Sequence, residues 1–467
     1  MTVELIGILT LVLGIIGLFR PTSFIVRVFL ASTLLGSAAA FVLEAIGGTN
    51  ISPAHLLLGF LAYRLLNNAN ISHAAATAVA SGSAGFWLLL AVGYSLLSAY
   101  FLPVIFAGQT YTFAVRNLEG HSQPLALAMS NLTQSIYLVG DLVCFILLYG
   151  YAGSLARRRI LGEAALWCAA LNLVFAALDL ATYFTNTTEL MSVIRNANYT
   201  LLNDTEVAGI KRIVGSFTEA SSFGSTTLGY FAFTSRLWLL GIRPRLSLML
   251  MLLSLLALVF STSTTAYVGL AVFLLFSYLQ VLIDALHGPL SRPKAIFLGV
   301  LPAAVVSLIV VTALNDDAWA SMKSLLDTLV FNKMSTDSGI ERSSWNRQAL
   351  QNFYDTFGFG VGNGSVRASS FPVGLLASLG IPGAVLFGMF FIRVFFNRAR
   401  NQNHDRLDDA YVAAAKSACV AWLITATTSG ALIDLGLSYY AFAALASARS
   451  VKPFPAKASE AAALLIS

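Results

Sequence analysis

The chain has 467 residues, of which 57% are apolar and only 11% charged, against about 25% charged in an ordinary soluble domain. With 32 Phe, 16 Tyr and 6 Trp, a water-soluble fold would expose a far larger apolar surface than water tolerates. This excludes a soluble enzyme, a disordered chain and a nucleic-acid binder, and it makes the protein polytopic. The net charge of +6 and pI near 9.2 then record loop orientation, not an acidic partner. The 3 cysteines, Cys144, Cys168 and Cys419, all fall in apolar stretches. They read as packing residues, with no disulfide framework or metal cluster.

A hydrocarbon core about 30 Å thick needs roughly 20 apolar residues per helix. In chain order, spans are predicted at 3–19, 28–46, 51–66, 84–106, 124–149, 160–182, 220–240, 246–260, 268–285, 295–314, 369–396, 410–428 and 431–448. That is an all-α polytopic membrane protein with about 12–13 transmembrane helices, a single membrane domain over 1–467. The first span is expected to be retained, since Glu4 stands where a signal peptide carries basic residues.

Short basic loops set the orientation. Arg157, Arg158, Arg159, Arg243, Arg245, Arg292, Lys294, Arg398, Arg400 and Arg406 fall on one side if the spans alternate. Arg20, Arg27, Arg64, Arg449, Lys452 and Lys457 join them. By the positive-inside rule that side is cytoplasmic, which leaves two long loops, 183–218 and 315–368, on the periplasmic side. Met322, Leu325, Leu326, Leu329 and Val330 predict an amphipathic helix in the second loop. No internal repeat is visible, and no cytoplasmic segment could house a nucleotide-driven domain. Single cysteines placed in 183–218 and 315–368 should react with an impermeant thiol reagent on intact cells. Labelling of cysteines in 397–409 would overturn this orientation.

The first loop ends in a basic pair, Lys211-Arg212, then Gly215 and Glu219, just before an apolar span. Glu219 reads either as an interfacial anchor at the positive end of the next helix or as a functional carboxylate. The second loop runs Glu341-Arg342-Ser343-Ser344-Trp345-Asn346-Arg347, then Gly358, Gly360, Gly362, Gly364 and Arg367. Alternating glycines can bring backbone N–H groups to an anion, and arginines can grip phosphate bidentately. The run is neither a Walker A loop nor a GxGxxG fingerprint. If one helix carries both Arg342 and Arg347, five residues set them about 140° apart. Either the helix begins after Arg342, or only one of the two faces a ligand.

Ionisable residues inside spans are costly, by about 2.5–3.5 kcal/mol each at the centre. Arg236, Asp284 and Lys416 are expected to snorkel to the cytoplasmic face. Asp179 and Asp434 lie toward the outer ends, and Asp141, the deepest, reads as a packing residue paired with another helix. None of the 5 histidines falls in either long loop, so chemistry there would run on arginines and carboxylates.

The run ending Glu341-Arg342-Ser343-Ser344-Trp345, with Gly358-x-Gly360-x-Gly362 and Leu379-Gly380-Ile381-Pro382-Gly383, resembles the O-antigen ligase/polymerase superfamily. The run from Arg212 to Ser221 is similar to that superfamily's other arginine-bearing loop. Arg347 and Gly358 match the arginine and glycine arrangement of Wzy-type polymerase loops. The resemblance implies a GT-C-like fold and metal-independent, cofactor-free glycosyl transfer on the periplasmic face of a bacterial inner membrane. The donor would be a glycan on undecaprenyl pyrophosphate. The acceptor would be a lipid-linked repeat unit in a polymerase, or lipid A-core in a ligase. The ligases carry a histidine in the large loop, and 315–368 has none, which favours a polymerase of O-antigen or exopolysaccharide.

On this reading Arg212, Arg342 and Arg347 hold the pyrophosphate, and Glu219 is the general base, with Asp179 and Asp434 in reserve. Arg195, Lys211, Trp345, Gly360, Gly362 and Arg367 are the expected substrate-binding residues. Partners would be the undecaprenyl-pyrophosphate-linked oligosaccharide, membrane lipid, and candidate chain-length or export proteins, with no nucleic acid. A flippase or transporter of lipid-linked oligosaccharide is the alternative from another class, and a non-catalytic scaffold for an export complex is a third.

Overall fold

The structure, a computed structural model, describes residues 2–43, 48–115, 121–198, 201–202, 205–207, 209–316, 319–320, 323, 327, 337–396, 405–449 and 451. Pro21 separates α1 (Leu5–Phe19) from α2 (Thr22–Ser32), because the residue before a proline is pushed out of the helical region. α3 (Pro53–Leu66) starts behind Ser52, whose hydroxyl accepts the His55 N–H, an N-cap followed by proline in the first turn. Asn68 and Ser83 cap α4 (Ala69–Ala78) and α5 (Ala84–Ile105) in the same way. The chain continues through α6 (Met129–Tyr151), α7 (Leu155–Phe184), α8 (Ala220–Leu239), α9 (Pro244–Phe260), α10 (Thr264–His287) and α11 (Arg292–Leu314). It ends with α12 (Asp337–Asp355), α13 (Phe371–Phe396), α14 (Arg406–Ser429) and α15 (Leu437–Ser447).

Seven of these, α5, α6, α7, α10, α11, α13 and α14, are long and apolar enough to cross a membrane. Another five, α1, α2, α3, α9 and α15, are apolar but shorter. The protein is therefore a mostly helical, polytopic membrane protein. α8 is buried over most of its length and packs against α14 and α9. Its Tyr230 and Phe233 meet Phe442 edge to face, with ring centroids 5.9 and 5.4 Å apart. Gly229 makes room for Trp422 of α14, since a Cβ there would lie 2.2 Å from the Trp422 ring. Little covers α11, most of whose residues are exposed, as suits a helix facing lipid.

Two predicted spans need correction. The segment 28–46 is not one helix: α2 ends at Ser32, and residues 41–43 form a strand. That strand pairs antiparallel with Thr2–Val3 on one side and Thr49–Ile51 on the other. The chain between, from 33 to 40, bonds to the first long loop. Ser37 N–H donates to the Ser216 carbonyl at 3.0 Å, and Ser216 Oγ to the Leu34 carbonyl at 2.6 Å. Likewise 431–448 is helical only from Leu437. Irregular backbone is tolerated at membrane depth only where protein or a polar cavity satisfies it. Hydropathy alone does not see that condition. The predicted amphipathic helix around Met322–Val330 lies largely outside the described residues.

The basic loops gather at the end opposite this sheet. Arg159 pairs with Asp405 at 2.5 Å and Arg243 with Glu163 at 2.5 Å, while Arg406 donates to the Leu240 carbonyl. Arg158 is fully buried there, its Nε 2.6 Å from Asp408 Oδ1 and its Nη1 on the Ala152 carbonyl. Lys416 donates to the Phe395 carbonyl and Asp284 pairs with Lys294, so each of these ionisable residues is satisfied locally.

Candidate functional site

The first long loop is held by a buried carboxylate. Asp179, on α7, accepts the backbone N–H groups of Val214 (2.7 Å) and Gly215 (2.9 Å). Arg195 Nη2 lies 2.7 Å from its other oxygen and Lys211 Nζ 3.8 Å, and all three side chains are almost wholly buried. Arg195 Nε also donates to the Gly215 carbonyl at 2.9 Å, and Lys211 sits over the Tyr183 ring. Of the expected substrate-binding residues, Arg195 and Lys211 thus have their charges spent on Asp179. The same contacts remove Asp179 as a reserve base.

Beyond that anchor the loop delivers Arg212 and Glu219 to one place. Arg212 donates only weakly, at 3.4 Å, to the Thr262 carbonyl, and its Nε is buried without a partner. The hydroxyls of Thr205 and Thr262 are buried and unpartnered too. Both residues adjoin Arg212, whose N–H donates to the Thr205 carbonyl at 3.2 Å. Thr262 has φ +43°, an outlier for a β-branched residue. Such strain often accompanies a site. Glu219 occupies the N-cap position of α8 without capping it, and instead accepts from Ser221 Oγ.

The second loop answers with Arg342 and Arg367. A single helix, α12, carries both Arg342 and Arg347, so the 140° argument applies directly. Arg342 lines a cavity of about 260 Å3 together with Thr264, Thr265, Asn346, Thr427 and Thr428. Arg347 lines neither cavity of the site and is exposed. This separates it from the other two expected pyrophosphate ligands. Arg367 lies flat over Trp345, 4.0 Å from the ring centroid, a cation–π contact that fixes the guanidinium plane.

Electrostatics tie the two loops together. Burial lowers the pKa of Arg212 below the usual arginine value, Glu219 opposes that, and Arg342 adds to it. Burial also lowers that of Arg367, opposed by Glu341 and Glu219 and reinforced by Arg342. Arginine stays protonated under such shifts. Three guanidinium groups therefore crowd one region in which the half-buried Glu219 and the exposed Glu341 are the opposing charges. An anion placed there would relieve the repulsion.

The glycine run does something other than expected. Gly358, Gly360, Gly362 and Gly364 all have φ between +81° and +93°, yet their turn is not an open nest. Gly360 N–H donates to Thr356 Oγ1 at 2.9 Å, and Gly362 N–H to the Ser378 carbonyl at 2.9 Å. Added Cβ atoms would lie 2.7 Å from the Ser378 backbone at Gly360 and 2.5 Å from the Ser98 carbonyl at Gly362. α13 breaks at Gly380 to admit the loop, and Ile381 N–H bonds the Gly358 carbonyl. Gly360 and Gly362 are packing residues whose N–H groups are already taken.

Beside the arginines opens a larger cavity of about 660 Å3, within the range of about 300–1,000 Å3 usual for ligand sites. One wall is a polar stripe on α6, Ser130, Thr133, Gln134 and Tyr137, and another is Ser221, Ser222, Ser225 and Thr226 on α8. Both irregular membrane segments line it, through Leu35 and Gly36 on one side and Asp434 and Gly436 on the other. His55 also lines it, Nδ1 2.8 Å from Ser52 Oγ, with Asp434 in Coulombic range. Asp434 also lies in Coulombic range of Asp141, whose Oδ2 is buried without a hydrogen-bond partner among the described residues, so the charged neighbour of Asp141 is another carboxyl group. None of the lining hydroxyl and amide residues on α6 and α8, nor His55, was singled out from sequence. A helical-period polar stripe inside a hydrophobic span was the available signal.

Compared with protein-family models, with curated proteins and with solved structures, the chain finds no match.

Proposed function

We propose that this protein is a GT-C-like polysaccharide polymerase of a bacterial inner membrane. It transfers a glycan from undecaprenyl pyrophosphate onto a lipid-linked repeat unit at the periplasmic face. What supports the reading most is the convergence of Arg212, Arg342 and Arg367 with Glu219 at one end of the bundle. In the proposed reaction an acceptor hydroxyl oxygen bonds to the donor's anomeric carbon. The bond from that carbon to pyrophosphate oxygen breaks, its electron pair leaving with the pyrophosphate, and Glu219 takes the hydroxyl proton. Fixed guanidinium groups stabilise the charge that develops on the leaving group, and a carboxylate beside the acceptor supplies general base catalysis.

Purified protein mixed with lipid-linked repeat units in detergent should give a ladder of lengths on a gel, with no nucleotide added. A single unextended band would count against polymerase activity. The same ladder is expected in excess EDTA, since arginines supply the positive charge. Loss of product in chelator, restored by magnesium or manganese, would defeat this mechanism.

One observation favours the transporter alternative: the large cavity is lined by Asp434, which is in Coulombic range of the buried Asp141 of α6. Intramembrane carboxyls often mark a transport route. For a transporter, Asp141→Asn should abolish function while the arginine substitutions stay mild. For the polymerase the order reverses.

A further inference from the structure

The 660 Å3 cavity and the arginine cluster differ in chemistry. Among the described residues no Lys or Arg lines the cavity, and the titratable groups there other than tyrosines are His55 and Asp434. Its walls are hydroxyls and amides, joined by the aromatic surfaces of Tyr137, Tyr439 and Trp422. Such a lining offers hydrogen-bond donors but no fixed positive charge to a phosphate. It suits a ligand with many neutral donor–acceptor groups and apolar ring faces. Gln134 carries the sharpest signal: it is 92% buried (8% exposed) and lines the cavity, yet none of the described residues hydrogen-bonds its amide. Two donors and an acceptor in that position are expensive unless something in the cavity meets them.

The cavity also touches the charged site. Ser221 in its wall donates to Glu219, and Glu219 is in Coulombic range of Arg212 and Arg367. A hydroxyl held near Ser221 would therefore lie on the Glu219 side of an anion bound by the arginines.

We propose that this cavity is a sugar subsite. It takes an uncharged, hydroxyl-rich saccharide, with Gln134, Ser222 and Asp434 bonding the hydroxyls and Trp422 facing the ring. Identifying that saccharide as the acceptor rests on the transferase reading; its binding does not.

The test uses purified full-length protein in detergent. Neutral tri- and tetrasaccharides of gluco, galacto, manno and rhamno configuration are titrated by saturation-transfer NMR, with inorganic pyrophosphate titrated in parallel. At least one saccharide should bind the wild type. Gln134→Leu and Ser222→Ala should each weaken it by about tenfold while leaving pyrophosphate affinity unchanged. Because none of the described residues bonds Gln134, the leucine variant should melt no lower than the wild type. Ser222→Ala carries the comparison should it do so. The proposal is overturned if no saccharide in the panel binds, or if both variants bind it as tightly as the wild type does. Failure of the transferase reading looks different: the saccharide binds as expected, but Arg342→Lys leaves pyrophosphate affinity untouched.

Discussion

Replacing Arg342 with lysine should lower polymer synthesis by roughly 100-fold, the usual cost of removing one preorganised donor from a developing anion. Lysine keeps the charge but loses the planar fork that meets two phosphate oxygens at once. Arg347→Lys should change yield only within a few-fold, since Arg347 is exposed and lies about 140° round the same helix. The ladder assay measures both on one gel, with membrane insertion checked by detergent extraction. Glu219→Gln keeps the shape and the bond from Ser221 but removes the proton acceptor. It should lower kcat by about 100-fold or more while donor affinity holds. Equal losses at Arg342 and Arg347 would remove the helix argument. Unchanged yield in all three variants would remove the site.

The arginines were legible because charge is rare in this chain, so each basic residue in a loop that also carries carboxylates and glycines stands out. What sequence could not say is which cations face a ligand and which face a buried carboxylate. Arg195 and Lys211 are loop cations as Arg342 is, but Asp179 reaches them across a gap of 16 or more residues. The glycines posed a similar problem. Positive φ was foreseeable at the alternating glycines, and it serves both an anion nest and a tight backbone crossing. Only the position of Ser378 and Ser98 decides between them.

Hydropathy located nearly every helix, since about 20 apolar residues in a row have few other uses. It failed at 33–40 and 430–436, where averaging hid Gly36, Ser37, Asp434 and Gly436 inside apolar runs. Those two breaks build the large cavity. Averaging also hid the α6 stripe, whose Ser130, Thr133, Gln134 and Tyr137 recur at helical spacing in the polar first turns of an otherwise apolar span.

Asp179→Ala should destabilise the protein by about 3–5 kcal/mol, the cost of leaving buried charge uncompensated. The substitution strands Arg195 and Lys211, both nearly free of solvent, and leaves the N–H groups of Val214 and Gly215 without their acceptor. The effect should be local before it is global. Gly215 leads directly into Ser216, whose bonds hold the irregular segment at Leu34 and Ser37. Thermal unfolding in detergent should show a clear loss, and limited proteolysis should open the 194–218 loop ahead of the helices. Asp179→Asn should fall between, because the amide oxygen can still accept one N–H while the charge is lost. The contrast with a ligand-binding role is direct. If Lys211 and Arg195 served substrate, Lys211→Met would lower pyrophosphate affinity at unchanged stability. If they serve Asp179, the melting temperature falls first, and the loss of activity follows the unfolded fraction.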